Sequence, residues 1–445
     1  MSQRHVQFNV NELARLGAEA VGANICVSIE KYPDGMYNKA VLLTMDNGTQ
    51  VVAKVPNPNA GKPHFTTASE VATMDFIIME KLPGIELELA WPTMTTEDRL
   101  AVVQTIASYQ KSWTSISFKK YGGLYYAKDL DTNSDNEALY TDADGVAVRD
   151  SRFTIGPSPG RELIDNRRAT VEFDRGPWQT IEEYHAAIGH REIAAVRQLP
   201  QLPKSPITLY GPGTYIPTRE RKLKALQCYL QLIPFIIPPD PSITSSHLWH
   251  GDLHVANIFL SPLYFHARQP HILDYDGPRY VGLERPRLPD DFNTLDTDEK
   301  KRAKVLFLQQ SLCALYNTIT HRKNPRLYSA LEFQQTMSYT LLLLPRNMVI
   351  DGEASYLSQV AALEELWDTI PGHKGSPYPF SFSPEEKQEM DAHTEGALLG
   401  MNVMRSVQES IGNLFPEQGC VRTELYDEAL DALGQMKEQV IDEFA

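Results

Sequence analysis

His250-Gly251-Asp252-Leu253-His254-Val255-Ala256-Asn257-Ile258-Phe259 is followed closely by Ile272-Leu273-Asp274-Tyr275-Asp276-Gly277. The first stretch sets an aspartate five residues before an asparagine and then returns to apolar residues. The second places Asp274 between apolar neighbours at the end of what reads as a short strand, so the pattern predicts a buried carboxylate there. Carboxylate and amide oxygens of this kind take a proton from a hydroxyl, or share Mg²⁺ with phosphate and water. A lone Asp or Asn in a loop is usually a turn residue. What raises this set above that reading is its order: Asp252, Asn257 and Asp274 come after Lys54 in a strand pattern and Glu70 in a helix pattern. A rival reading makes His250 and His254 part of a hydrolytic metal centre. No further ligand cluster accompanies them, and Asn257 and Asp274 would then go unexplained. The two histidines read instead as loop-organising residues.

The chain has 445 residues, 42% of them hydrophobic. That suffices for one large two-lobed body or a few ordinary domains. A net charge of −15 argues against a nucleic-acid or anionic-membrane surface. The four cysteines, Cys26, Cys228, Cys313 and Cys420, are far apart and form no C-x-x-C pair, which points to free thiols. The longest apolar runs, Leu230–Ile237 and Leu341–Leu344, fall well short of the ~18 residues of a membrane span.

Residues 12–21 read as a helix capped by Asn11 and stopped by Gly22, with Gly17 an awkward residue inside it. Strands follow at Cys26–Ile29, Ala40–Met45 and Gln50–Val55, the last two joined by an Asn47-Gly48 turn. A helix is expected from Thr66/Thr67, and a further strand at Ile77–Glu80. Helical patterns then dominate. Thr96–Ile116 sets Val102, Ile106, Tyr109 and Trp113 on one face. Residues 128–150 are acidic and poor in apolar side chains, so they read as a solvated insertion. Thr180-Ile181-Glu182-Glu183 and Asp296-Thr297-Asp298-Glu299 are box-like helix starts. Another helix runs from about Arg219 to Ile233, and residues from Leu327 onward are mostly helical. A strand-rich start before a larger helical part predicts an α+β protein with two lobes, residues 1–82 and 83–445.

The catalytic-loop wording resembles that of the aminoglycoside phosphotransferase family of small-molecule kinases, which reads H-G-D-x-H-x-x-N. More specifically, the chain resembles the fungal branch known as altered inheritance of mitochondria protein 9. Carrying stretches include Val52-Ala53-Lys54-Val55-Pro56-Asn57-Pro58, Ile78-Met79-Glu80-Lys81-Leu82-Pro83-Gly84, Tyr121-Gly122-Gly123-Leu124-Tyr125-Tyr126, Asp174-Arg175-Gly176-Pro177-Trp178 and Leu288-Pro289-Asp290-Asp291-Phe292. The resemblance implies a bilobal protein kinase-like fold that uses ATP and Mg²⁺. It makes Asp252 the base that deprotonates an acceptor hydroxyl, and Asn257 and Asp274 the metal ligands. Lys54 would reach the α/β-phosphates and Glu70 would hold it. Met79, Glu80 and Lys81 would form the hinge whose backbone meets adenine. Gly35, the one glycine of Tyr32-Pro33-Asp34-Gly35-Met36-Tyr37-Asn38, would let the loop backbone approach phosphate. Asp276 reads as a cap on the turn at Gly277-Pro278.

Two departures from that family are visible. Only six residues, Val71–Phe76, separate Glu70 from the strand at Ile77, under two helical turns. The small-lobe sheet is therefore expected to lack one strand. The start of the chain shows no presequence, so a mitochondrial location is implied by the resemblance alone, with the cytoplasm as the alternative. The expected activity is transfer of the γ-phosphate to a hydroxyl of a small molecule, and the acidic insertion suits an acceptor with positive charge. The alternative is a degenerate kinase-like protein that holds nucleotide or a protein partner without turnover.

Overall fold

A computed structural model describes residues 8–32, 38–56, 78–81, 87–130, 137–250, 258–262, 273–275, 280–415, 421 and 425–444. The chain is α+β. Its main helices are α1 (Val10–Ala20), α2 (Thr96–Thr114), α3 (Ile181–Gln198), α4 (Arg219–Ile236), α5 (Thr297–Lys323), α6 (Pro325–Phe333), α7 (Met337–Leu343), α8 (Glu353–Leu366), α9 (Pro384–Ile411) and α10 (Tyr426–Phe444). Its strands are β1 (Cys26–Tyr32), β2 (Asn38–Met45), β3 (Gln50–Pro56), β4 (Ile78–Glu80), β5 (Ser117–Phe118), β6 (Gly123–Tyr126), β7 (Tyr140–Thr141), β8 (Ala147–Val148), β9 (Phe153–Gly156), β10 (Ser246–His250) and β11 (Ile258–Pro262). No helix among the described residues is long and apolar enough to cross a membrane.

Two compact units divide the chain. One comprises Met1–Asp165, Asp174–Tyr184 and Pro238–Thr336; the other comprises Asn166–Phe173, His185–Ile237 and Met337–Ala445. The expected lobe boundary at residue 82 falls inside the first unit.

In the first unit, β1-β2-β3-β4 form an antiparallel sheet in chain order. Leu43, Met45, Val51 and Ala53 pack on one face with Ala18 of α1. Gly17 explains the close approach: a Cβ there would lie 2.7 Å from Leu43 Cδ1 and 3.1 Å from Met45 Cε. The helix cap is Asn9, not the predicted Asn11, and its side chain accepts from the Glu12 N–H. That start caps the helix two residues earlier than the sequence reading. The Asn47-Gly48 turn stands as predicted, with Gly48 at φ +82°.

A second sheet runs β11-β10-β5-β7-β8. Residues 137–150 stay largely solvated, as their composition predicts, with Ala138 alone of them buried, but they are not irregular. They supply β7 and β8 at the sheet edge, and Tyr140 lies 5.7 Å from Phe118, ring to ring. Helix α2 packs on α5, but not with the predicted face. Val103, Ala107, Gln110 and Thr114 are buried, whereas Tyr109 is 58% exposed. Two polar positions join that face because each has a partner. Tyr316 donates to Gln110 Oε1 at 2.7 Å, and Thr114 donates to Asn324 Oδ1 at 3.1 Å.

The second unit is helical. Most of α3 lies in this unit; its opening box at Thr180–Glu183, in the part of the chain assigned to the first unit, forms as predicted, with the Glu183 N–H donating to Thr180 Oγ1. Pro234, expected to end its helix, instead lies inside the last turn of α4. At the core sit five charged side chains with no more than 1% exposure: Arg168, Arg191, Glu192, Lys222 and Glu353. Arg168 holds Glu192 with two 2.7 Å bonds, and Arg191 Nε reaches the same carboxylate at 2.9 Å. Lys222 spends its three donors on Glu353 Oε2 (2.7 Å), Met348 O (2.9 Å) and Ile350 O (3.1 Å).

Candidate functional site

Strand β3 carries the first candidate residue. Its register sets Lys54 opposite Ala40, and Val52 opposite Leu42 on one side and Met79 on the other. Strand alternation turns Lys54 away from the α1 face and onto the face of Ala40, Leu42 and Val52. Those three form a small buried cluster, and Tyr32 packs against it. Lys54 is half-buried at the end of this apolar strip. The expected hinge residues are next to it in the sheet: Met79 pairs with Val52 and Glu80 with Val51. Lys81 continues that edge, its N–H donating to Gln50 O and its Nζ to Gln50 Oε1, both at 3.1 Å.

The second element is a hairpin. Strands β10 and β11 pair antiparallel from Ser246↔Pro262 to His250↔Ile258. Residues 251–257, with Asp252 and Asn257 among them, link the two strands and lie outside the described residues. Strand β11 pairs with the strand before the loop, and residues 263–272 lie outside the described ones. Gly35, Glu70, Asp252, Asn257 and Asp276 also lie outside them.

Asp274 is the third element, and here the structure corrects the sequence. The carboxylate is exposed, not buried between its neighbours. Leu273 sits in a helical turn rather than a strand and is 5% exposed. It packs with Val103 and Ala107 of α2 and Leu312, Cys313 and Tyr316 of α5, with Tyr275 against the same core. Cys313 Sγ donates to Leu273 O at 3.5 Å. The apolar neighbours thus anchor the segment on either side of the exposed residue.

The hairpin has an anchor that sequence reading missed. His247, fully buried on β10, places Nδ1 2.6 Å from Ile116 O, just before β5. Burial pushes its pKa down to about 4, the Arg326 charge adding to this and the carbonyls of Ile116 and Ser242 opposing it. The imidazole is therefore neutral at pH 7, with its proton on Nδ1 facing the carbonyl. A histidine in an apolar strand was the available signal, and the neighbouring His250-Gly251-Asp252 outweighed it.

For Mg²⁺, Asp274 offers an accessible hard oxygen, as that ion requires. Among the described residues no group of three or more His, Cys, Asp and Glu could hold a metal. For a nucleotide, the half-buried Lys54 is a cation for phosphate, beside the buried strip of Ala40, Leu42 and Val52.

The chain is similar to a subtelomeric hrmA-associated cluster protein of Aspergillus fumigatus, 25% identical over 94% of this chain and 93% of that protein. It is similar to altered inheritance of mitochondria protein 9, mitochondrial, of Eremothecium gossypii, 23% identical over 66% of this chain and 58% of that protein. The protein of that name from Yarrowia lipolytica is 20% identical over 87% of this chain and 77% of its own length. No family model matches, and no solved structure matches.

Proposed function

We propose that this chain is an ATP- and Mg²⁺-dependent phosphotransferase of bilobal kinase-like fold, which moves the γ-phosphate to a hydroxyl of a small molecule. The observation that carries the reading is the β10–β11 ladder. It ends at His250↔Ile258, and the sequence carries Asp252 and Asn257 between those two residues. Phosphoryl transfer asks the protein chiefly for position and charge, and a loop held at both ends provides position. In this reading Asp252 accepts the acceptor's proton, Asn257 and Asp274 hold Mg²⁺, and Lys54 contacts phosphate. Adenine lies on the Ala40, Leu42, Val52 strip beside the backbone of Met79–Lys81. The relatives named altered inheritance of mitochondria protein 9 are called mitochondrial, and on that resemblance we place this chain in the mitochondrion.

The test is ATP consumption measured across a panel of hydroxyl-bearing small molecules, amines included, with Asp252→Asn beside the wild type. The expected result is acceptor-dependent ADP release that falls by about 10²–10⁴-fold in the variant. A second reading, nucleotide binding without turnover, draws on the three-residue length of β4. Saturable Mg-ATP binding with no ADP release for any acceptor would favour it.

A further inference from the structure

Helix α10 belongs to the second unit, whose residues the phosphotransferase reading does not use. It packs on α9. Three stripes run along it. The packed stripe starts at Ala429, which is buried, and continues through half-buried Ala432, Met436 and Val440 at steps of 3, 4 and 4. Beside it Tyr426, Leu430 and Leu433 follow one another at steps of 4 and 3, and they are 59%, 55% and 37% exposed. At 3.6 residues per turn this second apolar stripe is rotated by roughly 80° from the packed one. Asp427, Asp431 and Glu438, all exposed, form the third stripe on the far side of the second. A helix covered on one side needs one apolar stripe. Single exposed apolar residues are ordinary on a protein surface, but three in line over two turns, rimmed by charge, mark an interaction face.

The charge says what fits that face. Helix α10 carries Asp427, Glu428, Asp431, Glu438, Asp442 and Glu443 against a single cation, Lys437. Asp427, Asp431 and Glu438 have no ion-pair partner among the described residues. Two copies of the chain laid stripe to stripe would set these carboxylate rows side by side, and like charges disfavour such a contact. An anionic bilayer meets the same repulsion, and helices that lie on such surfaces carry Lys and Arg on their polar side. A helix whose apolar side is flanked by Lys or Arg matches both stripes at once.

We propose that the Tyr426, Leu430 and Leu433 stripe, with the carboxylate row beside it, docks a basic amphipathic helix of a partner protein. The stripe is about 10 Å long, so the partner contributes two to three turns, with apolar anchors at i, i+3 or i+4, and i+7. The apolar contact holds the partner, and the carboxylates orient it and speed its arrival.

The test uses the full chain and a fluorescent Leu/Lys peptide of about 18 residues, long enough to form a helix, with leucine at those anchor positions. A second peptide has glutamate in place of every lysine. Binding is read by anisotropy at low and high salt. The expected result is saturable binding of the lysine peptide, weakened at least about 10-fold by Leu430→Gln or Tyr426→Ala, weakened again by salt, and much tighter than that of the glutamate peptide. Asp427→Lys, Asp431→Lys and Glu438→Lys together should reverse the preference between the two peptides. These positions are exposed, so the variants should melt like the wild type. No saturable binding of the lysine peptide, binding unchanged in both stripe variants, or a triple variant that keeps its preference would overturn the proposal. So would a wild-type dimer that Leu430→Gln turns into a monomer in sedimentation, since the stripe would then be taken by a second copy. Pelleting with phosphatidylglycerol vesicles that is lost in Leu430→Gln would overturn it in favour of a membrane surface.

Discussion

The two units treat charge in opposite ways. In the second, Arg168, Arg191, Glu192, Lys222 and Glu353 are sealed from solvent, and each is bonded to the others or to backbone carbonyls. In the first, Lys54 is half-buried and Asp274 is exposed, next to the apolar clusters of Ala40, Leu42 and Val52 and of Leu273. Sealed charges with complete partner sets can do nothing but define a packing arrangement. Charges fixed by their surroundings yet open to solvent are available for a ligand. Burial of an ionised group is therefore a poor guide to function in this chain, and rigid placement of an accessible one is the better guide.

The comparison can be broken most forcefully at Glu192. Its carboxylate takes bonds from Arg168, Arg191 and the Val349 N–H at 2.9 Å. Removing it in Glu192→Ala strands two buried guanidinium groups and should cost about 3–5 kcal/mol by urea denaturation. Replacing Arg168, Arg191 and Glu192 together with apolar residues of similar volume should cost much less, since no charge is then left unpaired. Equal losses in the two proteins would mean the network is worth more than its desolvation.

Acid is the next lever. Burial pushes the pKa of His185 down to about 3 and that of His247 to about 4. Each folded value lies below the unfolded ~6.5, so the unfolded chain binds the proton first. The stability from each neutral ring is complete above pH ~6.5 and is lost as pH falls toward the folded value, at up to ~1.4 kcal/mol per pH unit for each ring. Denaturation midpoints measured from pH 7 to 4.5 should fall, and His185→Phe should flatten the fall in the second unit. His185 Nδ1 lies 2.9 Å from the Tyr229 hydroxyl, so the substitution also loses a hydrogen bond and lowers the plateau.

Smaller again is the effect at Gly17. Gly17→Ala forces a methyl into Leu43 Cδ1, 2.7 Å from the new Cβ, which would cost about 1–3 kcal/mol by overpacking unless that side chain moves aside. The higher helix propensity of alanine offsets only ~1 kcal/mol of this. The smallest stability change belongs to Asp274→Asn. Exposed, the carboxylate should shift unliganded stability by no more than about 0.5 kcal/mol.

Much of the first sheet was legible because its signals are local. The Asn47-Gly48 turn, the alternation of β2 and β3 and the boxes at Thr180 and Asp296 each act within a few residues, and the structure has all of them. The buried face of α2 was not legible. Gln110 and Thr114 enter the core only because Tyr316 and Asn324, about 200 residues away, meet them. The buried lysine–glutamate pair escaped for the same reason: Lys222 and Glu353 are 131 residues apart. At the site, the order Lys54, then Asp274, was readable, and so was the strand that carries Lys54. The exposure of Asp274 was not, since apolar flanking residues say where a backbone is anchored and not which way the residue between them turns.

The measurement that tests the central claim most directly is a thermal-shift titration with ATP, with and without Mg²⁺, on the wild type and Asp274→Asn. A ligand that binds only the folded protein raises its melting temperature by mass action. The account predicts a rise that needs Mg²⁺ and disappears in Asp274→Asn, while the unliganded melting temperatures stay alike. Cooperative melting of the wild type with no shift at millimolar Mg-ATP, or an equal shift in both proteins, would contradict it.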